Sequence, residues 1–230
     1  MRKPTRIRLF AAASALALLA AGLVSCGAPA PSDGAAAFRA DDGYVYSQNE
    51  PFGMTRAEAE ELYAGSLEEI ADDPLEQWRV EVPTELIPPE NAELFGREWM
   101  RQLSFEDDAL YLGTYTTRME PEEFTEEFPA ILDAFYAEFG EGSLSQDEYE
   151  ALVEEAVAAE AEGTATRVSG YWTGGENNYL HLYVLLGVRP SHEEVVIAVS
   201  GGTGRVEPFS GSNDLTDFLD AVEGMQQSQP

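Results

Sequence analysis

Four segments of the chain carry the three-to-four-residue spacing of apolar side chains that predicts amphipathic helices. The strongest covers residues 126–139, where aromatic and aliphatic side chains form one unbroken stripe before the C-cap Gly140. The next begins with a capping box formed by Ser145 and Glu148, and it ends near Gly163. An earlier helix is predicted over 55–72 and begins with a capping box formed by Thr55 and Glu58, and a short helix is predicted after Asn213 or Asp214 that ends at Gly224.

Other segments alternate apolar and polar residues, which is the period of a half-buried strand. The predicted strands are 78–82, 99–103, 109–117, 164–173, 178–187 and 193–200. Strands therefore come in runs joined by hairpins and separated by helices, without the strict alternation of strand and helix that a parallel sheet requires. The pattern predicts an α+β fold in which an antiparallel sheet of about six strands is covered by helices.

The hairpin at 165–186 supplies the candidate binding face. A two-residue turn at Gly175-Glu176 would pair Trp172 with Tyr179, and the same register would bring His181 and Tyr183 to that side of the sheet. Rings with polar tips are enriched at binding surfaces. These four residues are therefore the predicted binding face, with a second covering layer of helix as the alternative.

The amino-terminal 25 residues have the pattern of an export signal. Four basic residues lie among the first eight, and the apolar run Leu9–Val24 is shorter than the roughly 20 residues that cross a bilayer. Leu23-Val24-Ser25-Cys26-Gly27 resembles the lipobox of bacterial lipoproteins, in which the cysteine receives a diacylglycerol before the signal is cleaved. The alternative is an ordinary signal peptide cut near Ala28 or Ala30.

The predicted organisation follows from that signal. Residues 1–25 are the lipoprotein signal peptide, 26–53 a lipidated, flexible tether rich in Ala, Gly, Pro and Ser, 54–224 a single α+β domain and 225–230 a tail. Cys26 is the only cysteine and is predicted to be the lipid anchor. The expected location is the extracytoplasmic face of the cell membrane.

Charge and composition narrow the possible functions. After residue 25 the chain has nine arginines and no lysine, against 43 acidic residues. Because affinity for phosphates comes from Lys and Arg, we predict that the chain does not bind nucleic acid. Beyond Cys26 there is no thiol and no lysine, so cysteine nucleophiles, cysteine-bound metals and lysine Schiff bases have no residue to carry them.

Motifs for catalysis or metal binding are weak throughout. His181 and His192 are the only histidines, and neither has a second histidine or a cysteine at ligand spacing. The chain has no Gly-x-Ser-x-Gly elbow, and the segment at 200–204, SGGTG, precedes no helix or lysine and is interpreted as a tight turn. We predict no catalytic residue, no metal and no cofactor.

The order of elements resembles small lipoproteins of GC-rich Gram-positive bacteria. The strand WRVEVP, the long helix and the segment RVSGYWTGGENNYLHLYVLLG are similar to the LpqN-like group, which has a Mog1/PsbP-like α/β sandwich fold. The leading helix followed by a Trp-bearing strand is similar to the LppA-like lipoproteins. The second central helix at 145–162 departs from the first group.

The resemblance implies a membrane-anchored envelope lipoprotein and leaves its activity open. We expect a non-catalytic binding or accessory module whose partner is an envelope protein or a small ligand. The alternatives are a carrier of a small apolar or aromatic ligand held between sheet and helices, and, third, an acid-based hydrolase.

Overall fold

The computed structural model describes residues 34–40, 43–44, 46–47, 49–69, 84–175, 178–187, 194–203 and 209–215. Several predictions lie outside these residues: the signal peptide, Cys26, the strand at 78–82, His192, the last predicted helix and the tail. Within the described part, no helix is both long and apolar enough to cross a membrane.

Nine of the described strands form one large antiparallel sheet. Its members are β3 (Glu68–Glu69), β4 (Thr84–Ile87), β5 (Ala92–Leu94), β6 (Arg97–Glu106), β7 (Ala109–Met119), β8 (Thr166–Thr173), β9 (Asn178–Leu186), β10 (Val195–Thr203) and β11 (Gly211–Asp214). The strand order is β11-β8-β9-β10-β7-β6-β4-β3, and β5 pairs with β6. A separate two-stranded ladder joins β1 (Arg39–Ala40) and β2 (Gly43–Tyr44). The α+β class with an antiparallel sheet is confirmed, and the described sheet has nine strands where about six were expected.

Helix boundaries follow local capping chemistry. A 3-10 helix covers Gly34–Phe38, and the α-helices are α1 (Arg56–Leu62), α2 (Pro121–Phe139) and α3 (Gln146–Glu160). Both predicted capping boxes are present, at Thr55 for α1 and at Ser145 for α3. The predicted end of α1 at residue 72 was wrong, because Ala64 and Gly65 adopt positive φ and break the helix.

All three helices contact the same face of the sheet, which we call the core face. Phe135 of α2 stacks on Trp172 of β8 with ring centroids 5.7 Å apart. The hydroxyl of Tyr149 in α3 donates to the carbonyl of Leu182 in β9 at 3.1 Å. Tyr63, just after α1, reaches Arg101 of β6. The helices therefore form a single layer over the aliphatic side of the strands.

The described residues between Gly34 and Met54, here called the strap, belong to this core. Phe38 and Tyr46 are fully buried, and the Phe38 ring packs against Phe135 and Tyr115. The expectation that residues 26–53 form a flexible tether was therefore wrong for the strap, and the domain includes Gly34. The strap has few large apolar residues and no periodic spacing, so its sequence resembled a linker.

A buried ion pair ties the strap to the sheet. Arg101 lies on the core face, where its guanidinium donates to the carboxylate of Glu50, which is 1 % exposed. The same guanidinium donates to the hydroxyls of Tyr63 at 2.9 Å and Tyr46 at 3.2 Å. Removing one partner of a buried pair leaves the other charge uncompensated. The strap thus carries the counter-charge that the sheet needs.

Phe135 lies where the strap, α2 and the sheet meet, so we expect Phe135→Ala to be severely destabilising. Its ring contacts Phe38 and Trp172, and it is fully buried. Truncating such a side chain costs about 3–5 kcal/mol of unfolding free energy. Urea unfolding measures the loss, with Val157→Ala on the exposed side of α3 as the control, expected to cost under about 1 kcal/mol. Equal unfolding midpoints for the two variants would contradict the described core.

Candidate binding face of the sheet

The register of the β8–β9 hairpin differs by one residue from the prediction. Trp172 pairs with Leu180, and Thr173 pairs with Tyr179. Residues 174–177 connect the strands, and the Gly174 N–H donates to the Asn178 carbonyl at 2.9 Å. The predicted two-residue turn was wrong. Because alternate residues point to opposite faces, a register shift of one residue places a side chain on the opposite face of the sheet from the one predicted.

Asn178 gives a physical reason for the longer connection. Its side-chain amide donates to the Tyr44 carbonyl at 3.2 Å and accepts from the Tyr44 N–H at 3.3 Å. A Cβ at Gly174 would lie 2.3 Å from the Asn178 amide oxygen. Asn178 is therefore the first residue of β9 and docks on β2, whereas the prediction placed it inside a tighter hairpin.

Trp172 consequently does not belong to the candidate binding face. It is buried on the core face, and its indole N–H donates to the Gly140 carbonyl at 2.8 Å. Its ring also meets Tyr136 edge-on, with centroids 5.3 Å apart. Trp172 packs α2 onto the sheet, and its assignment to the binding face is corrected.

The other three predicted residues stay together on the side opposite the helices. Tyr179, His181 and Tyr183 are alternate residues of β9, and their neighbours across the strands include Tyr171 on β8 and Ser200 on β10. Sequence reasoning missed these two neighbours. Alternation could have identified the outward residues of β8 and β10, but the strand order and register that bring them together depend on long-range pairing.

Strands β7, β8, β9 and β10 place sixteen residues on this side, none of which is Asp or Glu, and we call the surface formed by these sixteen residues the carboxylate-free face. Its residues are Leu112, Thr114, Thr116, Arg118, Arg167, Ser169, Tyr171, Thr173, Tyr179, His181, Tyr183, Leu185, Val196, Ala198, Ser200 and Gly202. Helices α2 and α3 alone carry twelve acidic residues. In a chain with 43 acidic residues, this face is a distinct electrostatic region.

Two arginines lie on the face at positions distant from its centre. Arg167 on β8 donates to the Asn213 side chain of β11 at 3.1 Å and packs over the Phe209 ring. Arg118 near the end of β7 approaches Glu194, which immediately precedes β10, at 3.5 Å. The only formal charges among the sixteen residues are therefore positive, whereas on the neighbouring strands the same side of the sheet carries Glu98 of β6 and Glu85 of β4, and Glu85 acts electrostatically on Tyr183.

His181 is neutral at physiological pH and has an unused acceptor. Burial, assisted by the charge of Arg167, lowers the pKa of His181 to about 4. The ring donates a hydrogen bond to the Phe209 carbonyl, which also accepts from the Ser169 hydroxyl at 3.0 Å. Nε2 is buried and has no partner among the described residues. The ring therefore donates through Nδ1 and leaves the Nε2 lone pair free to accept.

Hydroxyl groups continue from His181 across the strands. Ser200 lies opposite His181 in the ladder, and its hydroxyl is 2.9 Å from the hydroxyl of Thr114 on β7. The Tyr183 hydroxyl also bonds Ser200, and burial raises the pKa of Tyr183. Burial likewise raises the pKa of Tyr179 to about 12. Tyr179, His181 and Tyr183 are therefore neutral at pH 7, and the hydroxyls of Thr114 and Ser200 at the centre of the face are buried and bond each other.

This geometry does not assemble a serine nucleophile. A nucleophilic serine must hydrogen-bond its base, yet the Ser200 hydroxyl bonds Thr114 and Tyr183 while His181 Nε2 has no described partner. Across the described ranges, no group of three His, Cys, Asp or Glu side chains is arranged to hold a metal ion. The arrangement is suited to recognition through hydrogen bonds and ring contacts.

Comparison with known proteins adds no relative to this picture. No protein-family model, curated protein or solved structure matches the chain.

The lowered pKa of His181 predicts a specific pH dependence of stability. In the unfolded chain His181 takes up a proton near pH 6.5, and in the folded chain only near pH 4. The contribution of neutral His181 to the free energy of unfolding is therefore full above pH 6.5 and is lost as the pH falls from 6.5 to 4. The shift corresponds to about 3 kcal/mol at most. We expect His181→Asn to reduce the loss of stability that urea unfolding measures between pH 7 and 4.5.

The chain's only other histidine provides the matched control. His192→Asn also removes one imidazole, and the many carboxylates titrate alike in wild type and both variants. If His181→Asn and wild type lose the same free energy of unfolding over this interval, the burial of a neutral His181 is contradicted.

Proposed function

We propose that the chain is a lipid-anchored binding or accessory module of the bacterial cell envelope, and that it recognises its partner on the carboxylate-free face. The observation that carries the proposal is the absence of Asp and Glu from the sixteen residues of that face, in a chain with 43 acidic residues. Charged residues are depleted at the centre of binding interfaces, whereas tyrosine and arginine are enriched there.

The distribution of charge supports recognition at this face over recognition at the helices. A ligand that covered α2 or α3 would desolvate carboxylates that have few cations to pair with, at a high cost in free energy. The face opposite the helices instead offers accessible hydroxyls at Thr116 and Thr173 and half-buried rings at Tyr171, His181 and Tyr183. These groups lose little on leaving water once their hydrogen bonds are satisfied.

The two alternative functions receive less support. A carrier with its ligand between sheet and helices would need space where Phe135, Trp172 and Tyr149 make ring contacts and hydrogen bonds. An acid-based hydrolase would need a pair of carboxylates facing a substrate, and the carboxylate-free face has none. A non-catalytic module requires neither.

Anchoring through Cys26 is the second part of the proposal. The lipobox-like Leu23-Val24-Ser25-Cys26 supports lipidation, and the packed strap leaves seven residues between Cys26 and Gly34. At about 3.4 Å per residue, the eight steps from Cys26 to Gly34 span at most roughly 27 Å. The acidic domain would be held near, and repelled by, anionic headgroups. A PsbP-like sandwich remains the proposed finer description of the fold.

Site-specific photocrosslinking in intact cells tests both parts together. We expect a photoreactive residue at Thr116, half-buried on the carboxylate-free face, to give a discrete adduct on the lipid-anchored full chain. The same residue at Ala151, exposed on α3, is the matched control and should give none. Cys26→Ala should release the protein from membranes or leave an uncut precursor, because the acyl chains supply the attachment.

Two results would contradict the proposal separately. An adduct from Ala151 and none from Thr116 would place recognition on the helices. A correctly cleaved Cys26→Ala protein that still fractionates with membranes would exclude the lipid as its anchor.

A further inference from the structure

Arg167 on β8 differs from the other arginines that the structure describes, because it has no carboxylate partner. Each of the others makes a salt bridge with a glutamate: Arg39, Arg56, Arg97, Arg101 and Arg118. Arg167 instead donates from Nε to the Asn213 side chain at 3.1 Å and makes no salt bridge within the described part of the chain. In a protein with 43 acidic residues, this guanidinium is available to an anion from outside the chain.

The surroundings of Arg167 leave one edge of its guanidinium open. The Cζ atom lies over the Phe209 ring, 4.8 Å from the ring centroid, and Nε is occupied by the Asn213 amide oxygen. The two Nη groups have no hydrogen-bond partner among the described residues, and neither is a buried atom, so both reach solvent. Two Nη groups side by side donate a pair of parallel hydrogen bonds to a planar anion such as a carboxylate.

Accessible apolar side chains lie next to this open edge. The Phe209 residue is 38 % exposed although its ring contacts Arg167. Leu185 pairs with Arg167 across β8 and β9, Val196 pairs with Leu185 across β9 and β10, and both are half-buried. A ligand that fits this arrangement therefore has an anionic group for Arg167 and an apolar group for Phe209 and Leu185.

The carboxylates around Arg167 limit the charge that a ligand can carry. Asp214 of β11 follows Asn213 and points to the other side of the sheet by alternation. On the same side as Arg167, Glu194 immediately precedes β10, and Glu98 and Glu85 belong to β6 and β4, so each is two or more strands away. Two strand spacings are about 10 Å, beyond the roughly 8 Å over which salt screens exposed charges. A carboxylate, with one negative charge, meets less residual repulsion than a phosphate monoester with nearly two.

We propose that Arg167, Phe209 and Asn213 form a binding site for a carboxylate attached to an apolar group. The Nη groups of Arg167 donate to the two carboxylate oxygens, and the apolar group packs on Phe209 and Leu185. This inference deepens the proposed function and rests on it, because Arg167 belongs to the carboxylate-free face. The carboxylate comes either from a partner protein, as an acidic side chain or chain terminus beside apolar residues, or from a small apolar carboxylic acid.

Titration of the full-length protein with hydrocinnamate, which joins a carboxylate to a phenyl ring, tests the site. NMR spectra of the arginine Nε–H groups follow binding at Arg167. We expect a saturable shift of the Arg167 signal with a Kd on the order of millimolar, as is typical of a ligand of this size, and an affinity that falls as salt is added. Hydrocinnamide, which is isosteric and uncharged, should bind at least about tenfold more weakly. Phenyl phosphate, with its greater charge, should also bind more weakly than hydrocinnamate.

Matched variants separate the site from the general charge of the protein. Arg167→Gln should weaken hydrocinnamate binding about tenfold or more, whereas Arg56→Gln removes the same charge from α1 and should leave the affinity within about twofold. Arg167→Lys keeps the charge without the paired Nη donors and should retain only part of the affinity. Phe209→Ala should weaken the binding of hydrocinnamate more than that of acetate, which has no ring. Thermal unfolding of each variant verifies that the fold is intact.

The outcomes distinguish this inference from the proposed function. If hydrocinnamate causes no saturable shift, if hydrocinnamide or phenyl phosphate binds as tightly, or if binding survives Arg167→Gln, the carboxylate site is wrong, even where a Thr116 adduct upholds the proposed function. Hydrocinnamate binding without any Thr116 adduct would support the site and contradict recognition of a protein at the face.

The same variant in the crosslinking experiment identifies the source of the carboxylate. Loss of the Thr116 adduct in Arg167→Gln would show that the partner protein supplies it. An unchanged adduct, together with hydrocinnamate binding to the wild type, would assign the site to a small carboxylic acid.

Discussion

The pairing of β8 with β9 is the constraint on which the division of the sheet into two faces depends. In the observed register Trp172 and Leu180 meet the helices, whereas Tyr171 and His181 lie on the opposite side. A shift of one residue would place the indole among hydroxyls and the imidazole among aliphatic side chains. Asn178 helps to fix the register, because its amide bonds both backbone groups of Tyr44 on β2.

The two faces of the sheet differ in the side chains that they carry and in how buried polar groups are accommodated. The core face collects the rings that bury most apolar area, and its buried charge, Arg101, is compensated by Glu50 from the strap. The titratable rings of the opposite face are neutral, because burial lowers the pKa of His181 and raises that of Tyr183. Tyr183 also bonds Ser200. Carboxylates are concentrated on the helices, where water solvates them. Solvated carboxylates and neutral hydrogen-bonding groups therefore lie on different surfaces.

Local signals predicted much of the fold. The stripe of α2, the capping boxes at Thr55 and Ser145, and the hairpin of β6 and β7 depend on near neighbours, and each was found. The strap was missed because Phe38, Tyr46 and Glu50 are isolated residues whose partners lie far along the chain. The candidate face was predicted in part: Tyr179, His181 and Tyr183 share it, whereas Trp172 does not. Trp172 was misplaced because the predicted turn was too short. The length of the observed turn depends on the contact of Asn178 with β2, which is distant in the sequence.

Disulfide trapping of the hairpin register tests this account most directly. In a Cys26→Ala full chain, which has no other cysteine, the pair Thr173→Cys and Tyr179→Cys should oxidise to an intramolecular disulfide. These positions face each other in a non-hydrogen-bonded pair, a separation that a disulfide spans. The pair Trp172→Cys and Tyr179→Cys should remain reduced, because the two side chains lie on opposite faces. A disulfide in the second pair and none in the first would contradict the register and, with it, the composition of the carboxylate-free face.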